Sequence, residues 1–128
     1  MEHESLTESI IGCAFAVYRA LGPGFLETVY RNALAHALRK AGLTVECEHA
    51  VKVFFDGVVV GDFFVDLFVN DIVLIELKAV RTLAPAHEVQ IVNYLTATGI
   101  ELGLLINFGA DRLEFKRKTR VYKPKQPT

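Results

Sequence analysis

The spacing of apolar residues predicts two helices in the first third of the chain. Residues 6–21 repeat apolar side chains at intervals of three and four, and Ser5 with Glu8 forms a capping-box pattern beside them. The segment Gly22-Pro23-Gly24 ends this helix, because proline cannot continue the hydrogen-bond ladder and glycine accepts a positive φ. A second stripe at helical spacing predicts a helix over 26–41.

Beyond residue 42 the apolar period changes to two, which is typical of half-exposed strands. A strand is predicted over 45–55, and Asp56-Gly57 is a strong hairpin signal. Residues 58–69 should therefore return antiparallel to it, with a bend at Gly61.

The second half of the chain predicts a helix between two buried strands. An apolar strand covers 72–80, a helix with Pro85 in its first turn covers 85–98, and a second apolar strand covers 100–108. Residues 113–118 add a short edge strand. The predicted order ααβββαβ(β) indicates an α/β (α+β) domain with a mixed central sheet and helices packed on it.

Length and composition favour a single domain over 1–128. The chain has 128 residues, 52% of them hydrophobic, and a mean hydropathy of +0.31, which is enough to build one core. No apolar run reaches the roughly 18 residues that a membrane span needs, so a cytoplasmic protein without membrane contact is expected. Cys13 and Cys47 form no CxxC pattern and are interpreted as core thiols.

Charge is distributed unevenly along the chain. Residues 111–128 hold seven basic and two acidic side chains, a local charge of +5, whereas the whole chain carries −1. A basic tail at about 116–128 can attract phosphates, although a merely solvated tail explains the composition equally well. The nucleic-acid-binding candidates are Lys116, Arg117, Lys118 and Arg120.

Three ionisable residues interrupt the apolar stretch 63–79. Asp66, Glu76 and Lys78 are costly to bury unless they are paired or bind a metal ion. Glu76 and Lys78 are two positions apart, so they share one face of their strand.

The turn at Asn70-Asp71 decides whether Asp66 joins them. A two-residue loop pairs Val65 with Glu76, whereas an odd loop or a bulge brings Asp66 opposite Glu76. We predict the odd register, which forms a hard-oxygen site suited to Mg²⁺ or Mn²⁺. The ammonium of Lys78 would then orient a water and offset charge in the transition state. The competing interpretation is an ordinary Glu-Lys pair at the solvent edge of the sheet.

Two groups of motifs carry a family resemblance. The aspartate, the E-x-K ten residues later and the helical Gln90-x-x-x-Tyr94 resemble the PD-(D/E)XK nuclease superfamily, specifically its RecB-like branch. The segment from Gly24 through Glu27 to Tyr30 resembles the signature of the GxxExxY family. This resemblance implies a restriction-endonuclease-like core and metal ligands at Asp66 and Glu76, with Glu27 as an auxiliary acid at the metal. It also implies a catalytic Lys78, and catalytic candidates at Gln90 and Tyr94, which match the helix motif.

The resulting expectation is a Mg²⁺- or Mn²⁺-dependent nuclease acting on DNA, or on RNA. The alternative is a catalytically inactive nucleic-acid-binding or protein-assembly module on the same scaffold, since fold does not fix function. A regulatory protein-interaction domain is a third option. Because the chain is small, a homodimer or a partner protein is also expected.

Overall fold

A computed structural model describes residues 3–120 and contains the predicted elements in the predicted order. The helices are α1 (Glu4–Leu21), α2 (Glu27–Lys40) and α3 (Pro85–Thr98). The strands are β1 (Val45–Phe55), β2 (Val58–Val69), β3 (Val73–Lys78), β4 (Leu102–Asn107) and β5 (Glu114–Thr119).

The five strands form one mixed sheet in the order β1-β2-β3-β4-β5. Neighbouring strands are antiparallel except β3 and β4, which are parallel because α3 carries the chain back between them. Both of these central strands are almost entirely buried, as their continuous apolar sequence indicates.

Helices cover both faces of the sheet. The helices α1 and α2 pack on one face, where alternate β3 side chains such as Ile75 and Leu77 meet Leu34 of α2. The helix α3 packs on the other face, where Leu95 meets Leu74. Alternation along β3 therefore directs Glu76 and Lys78 toward the face that α3 covers. Within residues 3–120, no helix is long and apolar enough to cross a bilayer.

The start of α1 corrects one prediction. The helix begins at Glu4 with His3 as its N-cap, and no side chain caps it. The predicted capping box is wrong, because Ser5 already lies inside the first turn. A local pattern of two residues does not fix a helix start when the preceding backbone can also turn.

The predicted basic tail overlaps a strand. Lys116, Arg117 and Lys118 lie within β5, and Arg120 follows it directly. Residues 116–119 belong to the edge strand that was predicted over 113–118, and they pair with β4 from Leu102 to Leu105. Residues 121–128 of the predicted tail lie outside the described residues.

Candidate active site

The loop between β2 and β3 sets the register of the two predicted acidic residues. Val69 pairs with Val73, so the loop contains three residues, 70–72, and Asn70 and Asp71 adopt positive φ values of 52° and 55°. Leu67 pairs with Ile75 in the same register, which brings Asp66 opposite Glu76. The predicted odd register is confirmed.

Asp66 and Glu76 bind each other's strands through their side chains. The backbone N–H of Asp66 donates to Glu76 Oε1 at 3.0 Å, and the N–H of Leu77 donates to Asp66 Oδ2 at 2.8 Å. The backbone pairing of β2 with β3 extends as far as Leu67 and Ile75. Beyond that pair, each carboxylate accepts an N–H of the neighbouring strand in place of a backbone carbonyl. Among residues 3–120, the second oxygen of each carboxylate accepts no hydrogen bond.

This pair concentrates negative charge in a buried place. Glu76 is only 7% exposed, and burial together with repulsion from Asp66 raises its pKa to about 7. Burial also raises the pKa of Asp66, against the opposing effects of the Leu77 N–H and of Lys78. At a pKa of about 7, Glu76 exchanges a proton near neutral pH, and a bound cation would favour its charged form.

Lys78 follows Glu76 on the same face of β3. Its ammonium lowers the pKa of both carboxyl groups, but it lies within 4 Å of no carboxylate in the described part of the chain. The carbonyl of Lys78 accepts a hydrogen bond from Phe108 N–H at 2.8 Å. The backbone of the lysine is therefore fixed while its amine is not neutralised by an ion pair.

The last residue of β4, Asn107, and nearby Gly109 fix the backbone beyond Lys78. The side chain of Asn107 is fully buried; its Oδ1 accepts from Val80 N–H at 3.0 Å and its Nδ2 donates to the Val80 carbonyl at 2.8 Å. The backbones approach so closely that a Cβ at Gly109 would lie 2.4 Å from the carbonyl carbon of Ala79. Sequence reasoning missed both residues, although a polar side chain at the end of an apolar strand was the available signal.

The helix α3 contributes the predicted Gln90 and Tyr94. Gln90 Nε2 donates to Tyr94 Oη at 2.9 Å, and the ring of Tyr94 lies beside that of Phe63, with 5.7 Å between centroids. Burial and the charge of Glu76 raise the pKa of Tyr94, so the phenol stays protonated near neutral pH. The structure therefore brings this tyrosine within electrostatic reach of the acidic pair.

Glu27 lies at the start of α2, at the outer edge of the same site. It is exposed, and its charge makes the smallest contribution to the raised pKa of Glu76. Tyr30, one turn on, is fully buried; its hydroxyl donates to the Gly22 carbonyl at 2.5 Å and accepts from Phe25 N–H at 3.2 Å. The tyrosine of the G-x-x-E-x-x-Y motif thus holds the turn that places the glutamate, as its position in the apolar stripe indicated.

Arg31 and Glu48 are further charged residues that sequence reasoning missed. Cys47 pairs with Leu67 and His49 with Val65, so Glu48 lies opposite Asp66. Glu48 has a positive φ of 54°, which is strained for a residue other than glycine, and its Oε1 binds Arg31 Nη1 at 2.9 Å. Both charges act on the pKa of Asp66, which Arg31 lowers and Glu48 raises.

The donor set fits a hard divalent cation. Two carboxylates from adjacent strands each offer a free oxygen, and a cation would neutralise the repulsion that raises the pKa of Glu76. Across residues 3–120, however, no group of three or more acidic, histidine or cysteine side chains converges on one point. Protein ligands would therefore be few, as is usual for Mg²⁺, which retains several waters.

The basic residues of β5 and its end make contacts within the protein. Lys118 Nζ pairs with Glu88 of α3 at 2.5 Å, and Arg120 Nε donates to Glu101 at 3.2 Å. Arg117 Nη1 donates to Thr7 Oγ1 at 2.6 Å on the opposite face of the sheet. These side chains do not form a single patch beside the acidic pair, since alternation along β5 divides them between two faces.

Comparison with known proteins agrees with this architecture. The sequence model of the PD-(D/E)XK nuclease superfamily matches residues 4–118. The solved structure described as "Crystal structure of SSO0001" resembles this chain with a TM-score of 0.57 and 18% identity, and at that identity the likeness shows the fold alone. The match covers 94% of this chain and 61% of that one, so the chain spans less than two thirds of that protein. No match was found among curated proteins. The mixed sheet with flanking helices is consistent with a restriction-endonuclease-like fold.

Proposed function

The chain belongs to the PD-(D/E)XK nuclease superfamily, and from this premise we propose that it hydrolyses phosphodiester bonds with Mg²⁺ or Mn²⁺. DNA is the proposed substrate, with RNA as the alternative. The observation that carries the proposal is the Asp66–Glu76 pair, in which Glu76 is buried and Asp66 half-buried, and whose excess negative charge lies beside a lysine without an ion pair among residues 3–120. We also propose membership of the RecB-like branch and the GxxExxY group, on the motif from Gly24 to Tyr30.

Asp66 and Glu76 are the proposed metal ligands, with Glu27 as an auxiliary acid. When bound, a divalent cation supplies Lewis acidity toward a phosphate oxygen. The protein's own contribution is to hold the two carboxylates rigidly through the Asp66 and Leu77 N–H groups. It also excludes bulk water around Glu76, so that the attraction between this carboxylate and a cation would be stronger than in solution.

Lys78 is the proposed catalytic lysine. Its ammonium acts on the pKa of both carboxyl groups, and it would orient the attacking water and offset charge on the phosphate. Tyr94 remains a neutral hydrogen-bond donor because its pKa is raised, and Gln90 fixes the direction of its hydroxyl. These two residues are proposed to position the substrate phosphate from the α3 side.

The nucleic-acid-binding role of β5 is proposed for its α3-facing side chains first. Lys116 and Lys118 project toward the face that α3 covers, and Lys118 would exchange its partner Glu88 for a phosphate. Arg117 and Arg120 are retained as weaker candidates, because their contacts with Thr7 and Glu101 direct them elsewhere.

Cleavage assays with purified protein test the proposal. Supercoiled plasmid, linear duplex, single-stranded DNA and RNA are incubated with Mg²⁺, Mn²⁺ or EDTA. We expect metal-dependent cleavage that falls at least about 100-fold in Lys78→Ala and Glu76→Ala, because each removes charge stabilisation from the transition state. Lys40→Ala, an exposed lysine at the end of α2, is the matched control and should retain full activity. Equal cleavage by wild type and Lys78→Ala would refute the assignment.

A second function has specific support. In residues 3–120 no cluster of three potential metal ligands is found, which also suits a non-catalytic nucleic-acid-binding or assembly module. That function predicts binding that is equal in Mn²⁺ and EDTA, without cleavage of any substrate. The same assay, combined with a binding measurement, separates the two.

A further inference from the structure

The outer end of the β1–β2 hairpin carries a group of exposed apolar side chains that the acidic site does not explain. We call residues 53–64 the apolar arm. Its four phenylalanines are between 43% and 73% exposed, and its three consecutive valines are also exposed; the residues are Phe54, Phe55, Phe63, Phe64, Val58, Val59 and Val60. Phe63 and Phe64 are neighbours in one strand, so the arm is apolar on both of its faces.

The arm differs from the rest of the hairpin through a bulge. Val53 pairs with Gly61 but Phe54 pairs with Val59, so one extra residue enters β2 at this point. A Cβ at Gly61 would lie 2.7 Å from the ring of Phe63, which explains why glycine occupies the bulge. Phe54 and Phe55 lie between the bulge and the hairpin turn, whereas Phe63 and Phe64 lie on its other side and pair with Val51 and Ala50. The rings on both sides of the bulge are exposed.

A groove lies between the arm and α3. It has a volume of about 1120 Å³ and is lined by Val53, Phe54 and Phe63 on one side and by Val89, Asn93 and Ala97 on the other. This volume exceeds the range of about 300–1,000 Å³ that small-molecule sites occupy. The size therefore fits a segment of protein better than a small ligand.

Charge excludes nucleic acid as the natural occupant of the arm. The only ionisable residues within 53–64 are Asp56 and Asp62, both negative, and Lys52 lies opposite Asp62 in the strand pairing. Phosphate groups would be repelled, whereas an apolar surface with little charge is typical of the centre of a protein interface.

The exposed area matches what a dimer needs. At about 200 Å² for a fully exposed phenylalanine, the four rings of the arm present on the order of 500 Å² of apolar surface. The three valines of the arm and Val89 of α3 bring the patch toward the roughly 800 Å² per partner of a standard interface. Monomeric proteins rarely leave a patch of this size uncovered.

We propose that the apolar arm is the interface of a homodimer, in which two copies pack their arms and grooves together about a two-fold axis. One chain supplies both halves of such a contact, the protruding rings and the groove along α3, which is the self-complementarity that a two-fold interface requires. β1 is also the end strand of the sheet, and its outer edge has no strand partner among residues 3–120. Since Gln90 and Tyr94 line the same groove, the second copy would form one wall of the acidic site.

Sedimentation velocity of the full chain tests this across a range of concentrations. We expect a dimer for wild type and a monomer for the double variant Phe55→Asp/Phe64→Asp, with a dimer dissociation constant raised at least 100-fold. These two rings are among the most exposed, so the fold should survive their replacement. Leu26→Asp is the matched control, because Leu26 is 76% exposed at the N-cap of α2, where aspartate is favourable; it should stay dimeric.

Melting temperature gives a second readout of association, independent of sedimentation. A dimer that is stabilised by association melts at a higher temperature as its concentration rises. We expect this dependence for wild type and for Leu26→Asp, and none for the double variant. A wild type that is monomeric throughout, or a double variant that remains a dimer, would overturn the proposal. So would a monomeric wild type whose binding of single-stranded DNA is lost in the double variant, since the rings would then be a base-stacking surface.

Discussion

Replacing Glu76 by glutamine tests whether crowded charge defines the site. In the unfolded chain this carboxyl has its ordinary pKa of 4.5, and in the fold the pKa is about 7. Between these two values the native state binds a proton that the unfolded state releases, so the free energy of unfolding falls as pH rises. At about 1.4 kcal/mol per pKa unit, the cost is about 3 kcal/mol at pH 8 and under about 1 kcal/mol at pH 5.

Glu76→Gln removes this cost and keeps the structure. Glutamine retains a carbonyl oxygen that can accept the Asp66 N–H, as Glu76 Oε1 does. In EDTA at pH 8 we therefore expect the variant to be about 3 kcal/mol more stable than wild type, which corresponds to a melting temperature about 10 °C higher. At pH 5 the two proteins should melt within about 3 °C of each other, because Glu76 is then protonated.

The same variant tests the metal. At a Mn²⁺ concentration about 100 times the dissociation constant, a site that binds only the native state adds about 2.7 kcal/mol. Wild type should gain this stability and Glu76→Gln should not, as measured by thermal melts followed by circular dichroism. Glu8→Gln, an exposed glutamate of α1, is the control and should follow wild type throughout. A variant that is less stable than wild type in EDTA at pH 8 would refute the crowding of charge.

Two further substitutions probe the backbone that holds the site. Tyr30→Phe leaves the Gly22 carbonyl and the Phe25 N–H without their partner, so urea denaturation should show a loss of about 1–3 kcal/mol; an unchanged stability would mean that other contacts hold this turn. Gly109→Ala forces a Cβ to within 2.4 Å of the Ala79 carbonyl carbon and should cost more than about 3 kcal/mol in the same measurement. Gly12→Ala is the control, because Gly12 lies inside a helix and a Cβ there meets no atom within 4 Å. This substitution should stabilise the chain by about 1 kcal/mol. Equal effects at both glycines would contradict the close approach at Gly109.

Local periodicity was sufficient to predict every element of the fold. Apolar spacing distinguishes α1 and α2 from the strands, and the uninterrupted apolar runs of β3 and β4 indicate their central position. The predicted bounds of the elements differ from the observed bounds by only a few residues, chiefly because the predicted strands extended into the neighbouring loops. The placement of Asp66 opposite Glu76 also depended on one short loop, because the parity of its length determines which β2 residue faces Glu76.

The charged neighbours of the acidic pair were not predictable in the same way. A two-residue turn at Asp56-Gly57 alone would place Cys47, not Glu48, opposite Asp66. The bulge beside Gly61 adds one residue to β2 and brings Glu48 there instead. Glycine in a strand suggests a bulge without stating its size, so the contact of Glu48 with Arg31 required the three-dimensional structure. The pairing of Lys118 with Glu88 depends likewise on how β5 packs near α3.

Two single-residue features therefore build the site together. The three-residue loop 70–72 sets Asp66 against Glu76, and the bulge beside Gly61 sets Glu48 against Asp66, so that three acidic residues from three neighbouring strands lie in one row. Arg31 neutralises the outer member of the row, which leaves the inner two as the uncompensated charge. A shift of one residue at the loop 70–72 would send one of the two inner carboxylates to the opposite face, and burying a charge there without a partner is costly. The same bulge lies within the apolar arm, so one extra residue in β2 both sets Glu48 against Asp66 and interrupts the regular pairing among the exposed rings.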